Sequence, residues 1–257
     1  MDYVNFFSRQ CEIALTEFEN DPSDFVISQP LEFLEYQQDC FPWRIEPLRE
    51  NSEKNAIVIQ KPPPSYAPNS ESVPELWVRR SYSRYRSAFA LFLHKFHSFD
   101  LKPIPICWHI DHIEPVSRFQ KDHPDYFIRL FLINGHINSC YGGGLEREFY
   151  KNEREKTPSG ACADWVSILK CIGIEPPSKS IKEHGWAIWA WEQSTNFNGD
   201  KFISRIGVYT GILSMLNLYF TGCYNGSYKG LIVPKEIQEE LSTYKGAEVF
   251  ELIWLDE

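Results

Sequence analysis

The chain predicts an α+β, mostly helical protein, on three observations. Apolar residues recur at helical spacing from the N-terminus to about residue 243, and short apolar runs of strand length interrupt them in the middle. Gly, Pro, Ser and Asn clusters punctuate both kinds of segment. At 257 residues, with 43% hydrophobic and 24% charged residues, the chain is long and apolar enough to bury a substantial core.

The elements follow in order. Residues 3–19 ("YVNFFSRQCEIALTEFE") place Phe6, Phe7, Ile13, Ala14 and Phe18 near one face of an amphipathic helix. A second short helix is expected over 30–38. Residues 60–75 ("QKPPPSYAPNSESVPE") read as a Pro/Ser-rich linker or extended strap, so an N-terminal helical segment, 1–60, is expected to be joined by 61–75 to a main unit, 76–257. Beyond it, 75–99 carry Trp77, Tyr82, Tyr85, Phe89, Phe92 and Phe96 at helical spacing, with Arg79, Arg80, Arg84 and Arg86 crowding the first half of that helix.

In residues 103–113, Ile104, Ile106 and Trp108 alternate as in a strand that ends near Asp111 and His112. "FIRLFLI" (127–133) suits a second strand or a short helix, "NGHINSCYGGG" a turn, and "LEREFYKNEREK" a helix. Asp164 caps an expected helix over 164–172 that Gly173 stops, and Ser180 with Glu183 forms a capping box before "WAIWAWEQ", which reads as core. Helical patterns continue through about 201–220 and 234–243, and 247–255 suit a terminal strand.

Charge and cysteine usage narrow the function. The net charge of −9 resides in residues 1–75, which hold 14 Asp/Glu against 5 Lys/Arg, while the rest is balanced at 21 of each sign. The overall acidity therefore does not exclude a nucleic-acid partner for residues 76–257, whereas the acidic segment suits docking on a protein. Seven scattered cysteines with no CxxC pair point to free thiols in a reducing cytoplasm, with no four-cysteine zinc site. No signal-peptide pattern opens the chain, and the longest apolar run, near 206–224, is interrupted by Thr and Asn and reads as a buried helix. "YGGGLE" lacks the Lys and spacing of a phosphate-binding loop.

Six of the seven histidines lie between His94 and His136, and the densest cluster is "WHIDHIEPVSRF", 108–119. Phosphodiester hydrolysis at neutral pH needs a base and a means of absorbing negative charge. His112 has the titration range of such a base, and Asp111 offers a hard oxygen. On a strand the two point to opposite faces. His109 shares the face of Asp111, as a further ligand, a supporting partner or a structural histidine. His136 suits a loop position or a phosphate contact. Arg118 and Arg147 are candidate phosphate clamps, and Arg79, Arg80, Arg84 and Arg86 a candidate phosphate-contacting face. His94 and His97 stand at i, i+3 on the expected helix, a spacing that could hold a metal ion.

"IDHIEPVSRF" resembles the first half of the HNH, or ββα-metal, nuclease motif, D-H-I-x-P-x-S, through Asp111, His112, Ile113, Pro115 and Ser117. "HINSCYGGGLERE" supplies Asn138 and Gly142 at the positions of the second half, with Tyr141 where Lys is common and Asn138 lying 26 residues after His112. The resemblance covers about residues 105–150. It implies an HNH-like core, about 103–156, embedded in helical flanks. It further implies a metal-dependent endonuclease acting on DNA, with RNA also open. His112 would be the general base, and Asp111 and Asn138 the ligands of one Mg2+ or Mn2+. The middle position of the motif, usually Asn, positions the loop carrying the base. Arg129 stands there, and Asn134 or Asp125 are substitutes. By architecture such a protein resembles an effector of bacterial anti-phage defence or a toxin. The alternative is a catalytically inactive HNH-like protein acting as an interaction module through its acidic N-terminal region.

Overall fold

The computed structural model describes residues 2–20, 22, 25–50, 55–62, 73–113, 126–147, 161–178, 183–197, 205–221, 235, 237 and 239. Within them the protein is α+β. The elements are α1 (Tyr3–Asn20), β1 (Val26–Pro30), α2 (Leu31–Cys40), β2 (Arg44–Pro47), β3 (Ala56–Gln60), β4 (Pro74–Arg79), α3 (Tyr85–His97), β5 (Trp108–His112), β6 (Tyr126–Asn134) and α4 (Gly135–Gly143). There follow β7 (Ala161–Cys162), α5 (Trp165–Cys171), α6 (Glu183–Gln193), a single 3-10 turn (Ser194–Asn196) and α7 (Arg205–Thr221).

The described strands form one antiparallel sheet in the order β2-β3-β4-β6-β1-β7, with β5 paired to β6. β6 organises it. Its first residues lie between β4 and β1, and its second half, from Leu130 to Asn134, carries β5. Every residue of β6 except Asn134 is buried, which explains the nearly unbroken apolar run "FIRLFLI": both faces of the strand are covered. Phe131 and Ile133 enter a core with Phe18, Phe25 and residues of α4 to α7. Leu130 and Leu132 enter another with Val58, Val78, Ile110 and the buried face of α3. α1 serves both, giving Phe6 to the second core and Ala14 and Phe18 to the first.

Several expectations change. The helix expected across 75–99 begins only at Tyr85, because Pro74–Arg79 pairs with β3 on one side and β6 on the other, and Trp77 is buried in that strand. The arginines therefore do not share a helix face. Arg79 ends β4, Arg84 occupies the N-cap position of α3 without a side-chain capping bond, and Arg86 lies in its first turn. The residues on either side of the Pro/Ser-rich stretch, 56–60 and 74–79, pair with each other. β5 starts at Trp108 rather than 103, and Ile106 before it is 92% exposed. The expected turn "NGHINSCYGGG" is a helix, α4, capped by Asn134, whose Oδ1 accepts the His136 backbone N–H at 2.9 Å. As the sequence predicts, Asp164 caps α5, accepting the Ser167 N–H at 2.6 Å, and Gly173 follows in the left-handed region at φ 81°. The Ser180 position and the expected strand over 247–255 lie outside the described residues, as does most of the helix expected after Gly144. Among the described residues no helix is long and apolar enough to cross a membrane.

Candidate active site

Strand β5, strand β6 and helix α4 follow one another around Asp111, His112 and Asn138. The hairpin is in register from Trp108 opposite Asn134 to His112 opposite Leu130. Alternation along β5 sends His109, Asp111 and Ile113 toward α4 and α5, and Ile110 and His112 toward α3.

His112 packs edge-on against Tyr85, with ring centroids 4.5 Å apart at 66°. Its Nε2 is buried and has no hydrogen-bond partner among the described residues. Burial pushes its pKa below the ordinary histidine value, Asp111 next to it opposes the shift, and Lys170 adds to it. The ring is therefore neutral near pH 7, the form able to accept a proton. Tyr85 belongs to the first turn of α3, so this contact joins His112 to the turn that carries Arg84 and Arg86, both exposed. Arg86 Nη2 also donates to the Trp108 carbonyl at the start of β5, at 3.4 Å. Tyr85 thus links the basic turn to His112, two features separated by more than twenty residues in sequence.

On the opposite face Asp111 meets a residue the sequence reading missed. Lys170 of α5 is 2% exposed, and its Nζ lies 2.6 Å from Asp111 Oδ2 and 2.5 Å from Glu146 Oε1. Burial alone would drive the Lys170 pKa down, but Asp111 and Glu146 outweigh it and hold the ammonium above the usual lysine range. Two carboxylates share one cation. Burial therefore keeps the Glu146 carboxyl above its ordinary pKa against the pull of Lys170, and the charge of Asp111 assists. The one signal available was Lys170 itself, a lone charge in the apolar run "WVSILKCIGI", which needs a buried partner.

Asn138 does not touch Asp111 through any of its described hydrogen bonds; its Nδ2 is placed to donate to His109 Nδ1 at 3.2 Å. The His109 ring is held closely against α4, since a Cβ added at Gly135 would lie 2.8 Å from its Nε2. The resemblance implies a divalent ion on Asp111 and Asn138. Carboxylate, amide and imidazole are suitable donors, but Asp111 already holds an ammonium and the Asn138 side chain faces His109. A divalent ion about 4 Å from that ammonium meets a repulsion on the order of 8 kcal/mol at an effective dielectric of about 20. As arranged, these residues do not fit the ion unless Lys170 releases Asp111.

The other predicted residues fall as follows. Arg129 is buried, with Nη1 2.9 Å from Glu17 Oε2 and Nη2 3.1 Å from Glu75 Oε1, and its guanidinium lies over the Phe25 and Phe131 rings. Asn134 is the cap of α4. The two residues expected to position the loop are thus engaged in a core ion-pair network and a helix terminus. Tyr141 is fully buried, and Gly142 is not required by close packing, a Cβ there reaching Glu146 only at 3.6 Å. Arg147 is exposed, and Arg79 and Arg80 are partly exposed. His136 pairs with Glu175 at 2.9 Å. His94 Nδ1 donates to the Phe99 carbonyl, and His97 lies between the Phe6 and Phe92 rings, so both are structural. Pro115, Ser117, Arg118 and Asp125 lie outside the described residues.

No protein-family model matches the chain, and no curated protein and no solved structure matches it.

Proposed function

We propose that the protein is an HNH-type endonuclease that hydrolyses DNA phosphodiester bonds, with His112 as the general base. The observation that carries this reading is the Tyr85–His112 contact, which packs a neutral histidine against the helix turn that carries the exposed Arg84 and Arg86. Guanidinium groups at the first turn of a helix suit a phosphate, both by charge and by the orientation of the free N–H groups there. His112 would take the proton of the attacking water once water reaches its buried, unpartnered Nε2, and the arginines would hold the phosphate. Asp111, Asn138 and His109 would face an ion only after Lys170 had withdrawn from Asp111. The segment 1–75 remains a candidate docking surface for a protein partner, and an anti-phage or toxin role remains a proposal from architecture alone.

The test is plasmid cleavage across a panel of divalent ions, with RNA in parallel, comparing the wild-type protein with His112→Ala. Loss of a general base lowers the rate by about 10²–10⁴-fold, so wild-type nicking that nearly vanishes in the variant is expected. Two proteins equally inert on every substrate and ion would remove the reading.

The ammonium on Asp111 and the engagement of Arg129 in the core favour a second reading, an inactive HNH-like interaction module. Mg2+ calorimetry separates the two. Under the second reading no binding is detected, and Asp111→Ala changes nothing. Under the first, binding is measurable and is lost in that variant.

A further inference from the structure

We propose that His136, Cys140 and Glu175 form a site for one thiophilic divalent ion of the zinc class, separate from Asp111 and His112. One ligand atom from each of the three lies within 4.8 Å of the others. His136 and Cys140 stand at i, i+4 on α4, which puts them on the same side of the helix one turn apart. Cys140 Sγ is 3.8 Å from His136 Nε2, and Glu175 Oε1 is 2.9 Å from that nitrogen. Two such ligands on a tetrahedral zinc ion, with bonds of about 2.0–2.3 Å, stand roughly 3.4–3.6 Å apart. The sulfur is already near that separation from the nitrogen, and the carboxylate has to back away from the nitrogen by about half an ångström. The sulfur and the carboxylate, within 4.8 Å of each other, have to settle to the same spacing.

The three donors come from fixed backbone. Asn134 caps the turn that carries His136, and Ser139 Oγ donates to the Gly135 carbonyl at 2.8 Å in the same turn. Glu175 follows the left-handed Gly173. The Ile174 N–H donates to the Leu169 carbonyl at 2.9 Å, and Trp189 Nε1 donates to the Glu175 carbonyl at 3.1 Å. An ion here would clamp α4 to the segment after α5. Asn138, between the two α4 ligands in sequence, turns instead to His109.

The chemistry of the set chooses the metal. Thiolate, imidazole and carboxylate together select zinc or cobalt, whereas Mg2+ prefers oxygen alone and keeps its waters. Side-chain exposures of 68% for His136 and 59% for Glu175 leave the ion reachable from solvent and the fourth position open to water. Zinc is the resident ion expected; cobalt is its spectroscopic stand-in.

The test is optical titration of the metal-free, full-length protein with Co2+, followed by competition with Zn2+. One equivalent should produce d–d bands and a thiolate-to-cobalt charge-transfer band that Zn2+ removes. Cys140→Ser should abolish the charge-transfer band. Glu175→Gln should weaken Zn2+ binding by about tenfold or more, the scale at which even outer-shell partners act, while circular dichroism confirms the fold of each variant. Asp111→Ala should leave the thiolate-to-cobalt band unchanged. Absence of a thiolate band at one equivalent, or its persistence in Cys140→Ser, would overturn the site.

Discussion

At the scale of single residues, buried charge decides what Arg129 and Lys170 do. Arg129 stands where the resemblance places the residue that positions the base, yet its guanidinium is committed to Glu17 and Glu75. Glu75 in turn receives Lys61 at 2.9 Å and the Trp77 Nε1–H at 2.8 Å. Burial alone would raise the Glu75 carboxyl, but Arg129 and then Lys61 hold it below the usual glutamate range. Removing one partner of such a network leaves an uncompensated buried charge, at a cost of about 3–5 kcal/mol. Arg129→Met should therefore lose about that much in urea unfolding, and adding Glu75→Gln should recover part of it. A loss under about 1 kcal/mol would mean that Lys61 alone satisfies Glu75. The opposite facing of Asp111 and His112 was legible from strand alternation. That Lys170 and Glu146 would meet Asp111 was not, because no local pattern encodes which buried charge finds which partner across about sixty residues of chain.

At the scale of elements, local chemistry predicted helices better than it predicted where β4 gives way to α3. α1, α2, α5, α6 and α7 follow their apolar spacing or their caps. Residues 74–79 imitate the start of α3 because Trp77, Tyr82 and Tyr85 fit a helical period, but pairing with β3 and β6 prevails. α4 was hidden by its glycines, and only the Asn134 cap marked it. Packing between elements also reverses an ordinary propensity. Gly to Ala inside a helix normally gains about 1 kcal/mol, but a Cβ at Gly211 of α7 would lie 2.2 Å from Trp165 Nε1. Trp165 is itself held edge-on by Phe18 at 4.7 Å and Phe197 at 5.2 Å. Overpacking of this kind costs about 1–3 kcal/mol, so Gly211→Ala should lower the midpoint of thermal denaturation. A raised midpoint would show that the indole turns away freely.

At the scale of the whole molecule, β6 carries a core on each face, and the helix α1 contributes to both. Short strands on either side of a Pro/Ser-rich stretch gave no sign that they would share one sheet, since the pairing of β3 with β4 and of β1 with β6 is set by tertiary burial. Two partly buried histidines also pack against the core around α1 and α3, which makes stability depend on pH. His97 packs against Phe6 at 4.8 Å and Phe92 at 5.1 Å, and burial, with a smaller contribution from Arg9, lowers its pKa from the ordinary 6.5 to about 4. His112 is shifted in the same direction. Between pH 6.5 and 4 the unfolded chain thus binds protons at these sites that the native state refuses. The stabilisation they provide is complete above about 6.5 and is lost progressively as pH falls toward 4. Glu146, raised above its ordinary value, works against this trend, so the contribution of one histidine has to be isolated by substitution. Urea midpoints measured from pH 7 to pH 4 should fall more steeply for the wild-type protein than for His97→Gln, whose side chain stays neutral throughout. Equal slopes would mean that His97 is protonated within the native core, and the packing of its ring between two phenylalanines would then not be what excludes the charge.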